Sequence, residues 1–296
     1  MKQIFVIGKN RSGTKWLANL LANHPKVAAL QREGAGGILE VNELAIARKV
    51  FGPAEVEENF LGFLACFLKS NAFKVSGLRE ESFFEKRHSS YAEFFGGFMD
   101  AFAAESGKDT WVQKTSSFSL SEVLKSFPEA KIIVIQRMSV ADNVASTLAL
   151  SWQYEHGSKG KNLFKEVWSY VHHRKLEEVH RGNPNVRFTS FENLKADKDA
   201  VCRNVCSFLD LEFEEEMLQD AYAKNTSFSG EVKKDHVLSP FDKRLVTILF
   251  SVVRWFPLVL FNRLRNIRLC LRKGRLGKRS FQRHTFSIFK EEIGWK

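Results

Sequence analysis

The stretch Ile4-Phe5-Val6-Ile7-Gly8-Lys9-Asn10-Arg11-Ser12-Gly13-Thr14-Lys15-Trp16-Leu17 limits what this chain can become more than any other. Branched and aromatic residues bounded by a glycine read as a buried strand, and Trp16, Leu17, Leu20 and Leu21 repeat at helical spacing after the turn. A strand, a tight turn and a helix start make a place for an anion. Turn N–H groups and the positive end of the helix dipole point at one spot that suits phosphate or sulfate, and Ser12 and Thr14 add hydroxyl donors.

Gly8 and Gly13 have the spacing of the nucleoside-triphosphate loop G-x-x-x-x-G-K followed by Ser or Thr, but the next residues are Thr14-Lys15, in the opposite order. A lysine one position late on a helix points about 100° away from where a triphosphate needs it. Nor does the second apolar run, Ile132-Ile133-Val134-Ile135, end in the aspartate that helps to hold magnesium; it ends in Gln136-Arg137. The loop reads as an anion site that works without a metal.

Further strands follow at Thr110-Trp111-Val112-Gln113-Lys114-Thr115-Ser116-Ser117, at Lys131 to Ile135 and at Val186 to Ser190. Ser119 and Glu122 have capping-box spacing for a helix that stops at Phe127-Pro128. Alternating strands and helices imply a parallel sheet with ligands at the C-terminal strand ends, which brings Arg11, Lys114 and Arg137 to one rim. Amphipathic stripes at Phe60, Phe63, Leu64, Phe67 and Leu68, and at Tyr91, Phe94, Phe95, Phe98, Met99 and Phe102, predict helices with buried faces. Packing accounts for the 27 phenylalanines. Four cysteines without C-x-x-C or Cys/His spacing point to burial in a reducing compartment rather than to metal chemistry.

Arg11-Ser12-Gly13-Thr14-Lys15-Trp16-Leu17 followed by Leu20-Leu21-Ala22-Asn23-His24-Pro25 resembles the 5′-phosphosulfate loop of sulfotransferases that use 3′-phosphoadenosine 5′-phosphosulfate (PAPS). That family usually has a second threonine where this chain has Lys15. Lys114-Thr115 at a strand end, Phe127-Pro128-Glu129-Ala130-Lys131, and Arg137 with Ser146 on the next helix resemble further family elements, and Phe191-Glu192-Asn193-Leu194 resembles its Y-E-D-L. The resemblance runs from residue 4 to about 210. It implies a three-layer α/β fold, a parallel sheet flanked by helices in the P-loop-like manner, and PAPS as co-substrate with no metal. By the same resemblance Arg11, Ser12, Gly13, Thr14, Lys15 and Trp16 hold the 5′ end, Lys114 lies near the transferred group, and Arg137 and Ser146 hold the 3′-phosphate. Phe191 keeps the aromatic face of a tyrosine found near the nucleotide. The arginine-to-serine spacing is nine positions where eight is usual, so Ser139 is the alternative to Ser146. Members with a histidine base carry it two residues after the lysine, where this chain has Ser116. The resemblance therefore points to the glutamate-based branch that includes bacterial and protein-tyrosine sulfotransferases. Glu33, in the charged and glycine-rich loop Gln31 to Gly37, is the candidate base, ahead of Glu40 and Glu43. Arg11 and Lys114 complete the expected catalytic set.

The net charge of +11 is a local property: residues 242–283 hold 12 Lys and Arg against the single acid Asp242, and the rest of the chain balances. Composition thus divides the chain into an α/β domain at 1–235 and a basic helical segment at 236–296. Leu245 to Phe261, interrupted by Arg254 and Pro257, is marginal for a membrane span, which needs about 20 apolar residues. It fits either an interfacial segment on anionic lipid or a buried helix with a solvated basic neighbour. Nucleic acid fits less well, because aromatic residues are not interleaved through the basic run. Asn225 to Ser229 with Lys233-Lys234, or Arg272-Lys273-Gly274, are candidates for closing over the nucleotide. The strand begins almost at Met1, so a cytoplasmic protein, peripheral at the membrane at most, is expected. The rival readings are a small-molecule kinase using ATP and magnesium, and a catalytically silent protein that binds anionic membrane surfaces. Neither the acceptor nor the oligomeric state is written in this sequence.

Overall fold

The computed structural model describes residues 1–32, 37–39, 47–48, 50–80, 88–116, 120–149, 158–219 and 237–264. Glu33, Glu40, Glu43, Ser119 and the candidate closing segments at 225–234 and 272–274 lie outside them. The described residues fall into two compact units, one from Met1–Glu40 and Gly107–Phe256, the other from Val41–Ser106 and the chain from Pro257 on.

The first unit is built on a five-stranded parallel sheet in the order β2-β5-β1-β6-β7. Its strands are β1 (Lys2–Gly8), β2 (Val27–Ala28), β5 (Thr110–Ser116), β6 (Lys131–Gln136) and β7 (Val186–Ser190). A parallel sheet must be covered on both faces, which explains why Ile4 to Ile7 and Ile132 to Ile135 are apolar at every position. Ile4 and Val6 turn to one face, into a core with Leu17, Leu20, Leu21, Ile133 and Ile135. Phe5 turns to the other, where its ring meets Trp111 at 5.3 Å and Phe127 at 5.1 Å. From β1 the chain runs out to the β2 edge, returns to β5 on one side of β1, and then places β6 on the other. Strand order therefore reverses at β1, and the crevice beyond its C-terminal end is where open α/β sheets bind ligands.

Helix α1 (Thr14–Ala22) follows β1 directly. A two-stranded antiparallel ladder of β3 (Gln31–Arg32) and β4 (Gly37–Ile38) follows β2. Among the described residues the α-helices of this unit that follow are α5 (Leu120–Ser126), α6 (Val140–Leu148), α7 (Lys159–Glu178), α8 (Phe191–Ala196), α9 (Lys198–Leu209) and α10 (Pro240–Val253). Helix α10, though it lies in the basic C-terminal segment, packs on α7 and α6. Trp168 and Tyr170 of α7 bring their rings to 5.9 Å from Phe256 and Phe250.

The second unit carries α2 (Glu57–Leu68), α3 (Asn71–Ser76) and α4 (Tyr91–Glu105). The phenylalanine stripes form its core, with Phe94 edge-on to Phe63 at 5.4 Å and to Phe67 at 5.0 Å. Both stripes are structural. The apolar run at 245–261 is not one element: α10 stops at Val253 and a short helix resumes at Leu258–Leu264, after Pro257. Among the described residues no single helix is long and apolar enough to cross a membrane.

Candidate active site

At the end of β1 a Cβ on Gly8 would stand 2.3 Å from the carbonyl oxygen of Ile135, so only glycine lets β1 and β6 run this close. The chain then turns tightly, with the Ser12 N–H donating to the Lys9 carbonyl at 3.1 Å. Arg11 (φ 70°) and Gly13 (φ 86°) both adopt the left-handed region, which curls the backbone N–H groups toward one side. For Gly13 the requirement is double, because a Cβ there would also meet the Phe191 ring at 2.7 Å. Gly13 caps α1 with no side-chain acceptor, and the first turn holds no acid, so the positive helix end is left open. Lys9 points elsewhere: its Nζ meets Glu166 on α7 at 3.1 Å, and both side chains are nearly buried.

Two groups of cations flank this turn. In the first, Arg11 Nε donates to Ser146 Oγ at 3.1 Å, and Arg137 Nη1 donates to the Arg11 carbonyl at 3.3 Å. The Arg137 guanidinium lies over the Phe191 ring, 4.8 Å from its centroid, and Trp16 meets the same ring edge-on at 6.1 Å. Burial lowers the pKa of both arginines, and for Arg11 the charge of Arg137 adds to the effect. Arg137 Nε is buried without a hydrogen-bond partner, an orphaned donor. In the second group, Lys114 sits on β5 opposite Val6 and is almost wholly buried. Desolvation, reinforced by the charge of Lys15, brings it down to about 7, and burial lowers Lys15 as well. Desolvation disfavours the charged form of each of these side chains, and at Arg137 the carboxylates of Asp142 and Glu192 act the other way.

The ladder of β3 and β4 is anchored to α1 and β5. The Ile38 N–H donates to Asn19 Oδ1 on α1 at 2.9 Å, and Gln113, next to Lys114, donates from Nε2 to the Leu39 carbonyl at 3.1 Å. Arg32 pairs with Gly37 across the ladder, so both strand ends beside the Glu33 loop are fixed.

A model of the sulfotransferase family matches residues 3–215, well over half of the chain. This chain belongs to the sulfotransferase family. The sulfotransferase fold is seen again in two solved structures. One, the sulfotransferase domain from the curacin biosynthetic pathway, has 14% identity and a TM-score of 0.52, and the alignment covers 84% of this chain and 97% of that one. The other, the sulfotransferase domain from the Synechococcus PCC 7002 olefin synthase, has 16% identity and a TM-score of 0.53, with 85% and 94% covered. A comparison with curated proteins gives no match. The family supports sulfuryl transfer as the class of reaction and favours neither the kinase nor the silent membrane protein.

Within this sulfotransferase the structure brings Arg11, Arg137, Ser146, Phe191 and Trp16 together on one side of the turn and associates Lys15 with Lys114. Between the two serines considered, Ser146 meets Arg11, whereas Ser139 caps α6 by accepting from the Asp142 N–H at 3.2 Å. Asn143 and Tyr170 escape a reading by sequence motif, and Glu192 lies in one without its role being evident there. Asn143 donates from Nδ2 to the Asn10 carbonyl at 3.2 Å and to Ser12 Oγ at 3.4 Å, while its Oδ1 is buried without a partner. Its signal was available, since 139, 143 and 146 share one helical face. Glu192 accepts from the N–H groups of Met138 and Ser139, and Tyr170 donates to the Arg137 carbonyl at 2.6 Å. Both fix the backbone that carries Arg137.

Proposed function

We propose that this protein moves the sulfuryl group of PAPS to a hydroxyl or amine of an acceptor, without a metal ion. Arg137 carries the proposal: a half-buried guanidinium whose Nε is buried and orphaned, lying over an aromatic ring and beside a second arginine, fits a multiply charged phosphate attached to a nucleoside. Arg137 and Ser146, with Arg11 bonded to that serine, would hold the 3′-phosphate, and Phe191 and Trp16 would offer the apolar faces beside it. The N–H groups of Thr14, Lys15 and Trp16 at the open helix start, the Ser12 and Thr14 hydroxyls, and the Lys15 and Lys114 side chains would hold the 5′ end. PAPS supplies a sulfuryl group on a phosphate that leaves with added negative charge. Lys114, held close to neutrality by burial, keeps a proton at Nζ to balance that charge, and the added cation at Lys15 strengthens the same field. Glu33 takes the acceptor proton, and the strand that follows it in sequence, β4, is held through Ile38 to Asn19 and through the adjoining Leu39 to Gln113.

Calorimetric titration with 3′-phosphoadenosine 5′-phosphate (PAP), beside ATP with magnesium, tests the reading. Tight binding of PAP that survives a chelator, with weak binding of ATP, is expected; the reverse preference would return the loop to a kinase. Glu33→Gln should then lower turnover and leave PAP affinity in place, and unchanged turnover would remove Glu33 from the mechanism.

A further inference from the structure

Helix α10 has three faces rather than two. Asp242, Val246 and Val253 are buried. A second line at spacings of seven, four and three is apolar but turned outward: Phe241 is 73% exposed, Ile248 61%, Val252 54% and Trp255, just past the helix end, 76%. On a helix these positions fall on one side. Exposed Lys243, Arg244 and Arg254 make the third face, and the Arg254 guanidinium lies 5.3 Å from the centroid of the Trp255 ring.

The outward line cannot be buried by rolling the helix without breaking its anchor. Ser239 and Asp242 form a reciprocal capping box, and Lys159 of α7 donates to the same carboxylate. Single exposed apolar residues are commonplace, but four large ones in a row along a fixed helix mark a contact surface. The charge beside them selects the occupant. A second copy docked through this line would leave Lys243 and Arg254, on the far side of the helix, without an opposite charge, whereas an anionic bilayer attracts Arg244 at the border of the line and the basic chain beyond it. The sequence beyond adds nine more Lys and Arg and no acid between residues 263 and 283.

We propose that α10 is a membrane-docking face. Phe241, Ile248, Val252 and Trp255 enter the interfacial layer of an anionic bilayer, Arg244 at the border of that line meets its headgroups, and Lys243 and Arg254 add longer-range attraction. This goes beyond the nucleotide reading and does not depend on it. The full chain should co-sediment with phosphatidylcholine vesicles doped with phosphatidylglycerol and much less with phosphatidylcholine alone. A triple variant, Phe241→Ser with Ile248→Ser and Trp255→Ser, should lose at least about tenfold in partitioning. A control with Leu61→Ser and Val179→Ser, exposed positions elsewhere, should bind like the parent. In the unmutated chain vesicles should shift tryptophan emission to the blue, and Trp255→Phe should remove most of the shift. Equal partitioning of triple variant and parent, or no shift in the parent, overturns the proposal. So does a concentration-dependent dimer in sedimentation velocity that the triple variant abolishes, because it gives the face to a second copy.

Discussion

Helices α1 and α10 begin with the same difficulty, a turn of backbone N–H groups that lack intrahelical acceptors, and they meet it in opposite ways. At α10 a serine caps the helix, the Asp242 carboxylate accepts from the Ser239 N–H at 2.8 Å, proline occupies the first turn, and Lys159 closes the carboxylate. At α1 there is a left-handed glycine, no side-chain cap and no acid, with Arg11, Lys15, Lys114 and Arg137 gathered around it. The first start is complete within the protein. Under the proposed function the second is completed by a phosphate of the bound nucleotide.

If that contrast is right, substitutions at the two ends separate binding from stability. Arg137→Ala should weaken PAP binding by about 100-fold, or about 2.7 kcal/mol, because a charge-assisted contact is lost. Its melting temperature should fall only modestly, since the hydrogen bond to the Arg11 carbonyl, the contact with Phe191 and the attraction of Asp142 and Glu192 are lost while an orphaned donor and the repulsion of Arg11 leave with them. A sharp fall in melting temperature with unchanged affinity would make Arg137 a structural residue. Gly13→Ala should cost about 2 kcal/mol in both, through left-handed strain and the approach to Phe191, so urea unfolding and PAP titration should move together. Asp242→Ala should cost stability alone, about 1.5 kcal/mol for the lost capping box, with PAP affinity as in the parent. A change in affinity there would mean that the two helix starts are coupled.

The strands were legible because a parallel sheet needs unbroken apolar runs, and Ile4 to Ile7 and Ile132 to Ile135 supply them. The loop was legible because Gly8, Gly13 and the hydroxyls between them are local chemistry. What stayed hidden depends on contacts distant in sequence: Lys9 finds Glu166 157 positions away, Gln113 reaches Leu39 across 74, and Glu192 reaches back 54 to Met138. Nor does a sequence reveal that the described residues between Val41 and Ser106 belong to a second compact unit. In α10 periodicity reported one apolar segment, and only burial divides it into an inward line at Val246 and Val253 and an outward one at Phe241, Ile248 and Val252.

The smallest effect is also the most direct probe of the open helix start, and it is read in pH. Lys114 has a folded pKa of about 7 against 10.5 in the unfolded chain, so between those values the unfolded state binds more protons. Its burial cost is fully present below pH 7 and is relieved as pH rises through the window, so this residue makes the free protein more stable on the alkaline side. Asp242 titrates far from that window: its carboxyl is drawn down to about 2 by Lys159 and Ser239, and its contribution is present above the usual aspartate range and lost in acid. Nucleotide binding reverses the sign at Lys114, because an anion favours the protonated amine. PAP affinity should therefore fall by up to about tenfold per pH unit above 7, and binding at pH 8 should take up a proton, seen as a buffer-dependent heat in calorimetry. The second ionisation of a phosphate lies at about 6, below this range, and cannot produce the trend. Lys114→Met should bind more weakly at pH 7 and show a flat profile above it. A parent profile that is already flat would place the Lys114 charge away from the nucleotide and leave Arg137 to carry the contrast between the two helix starts.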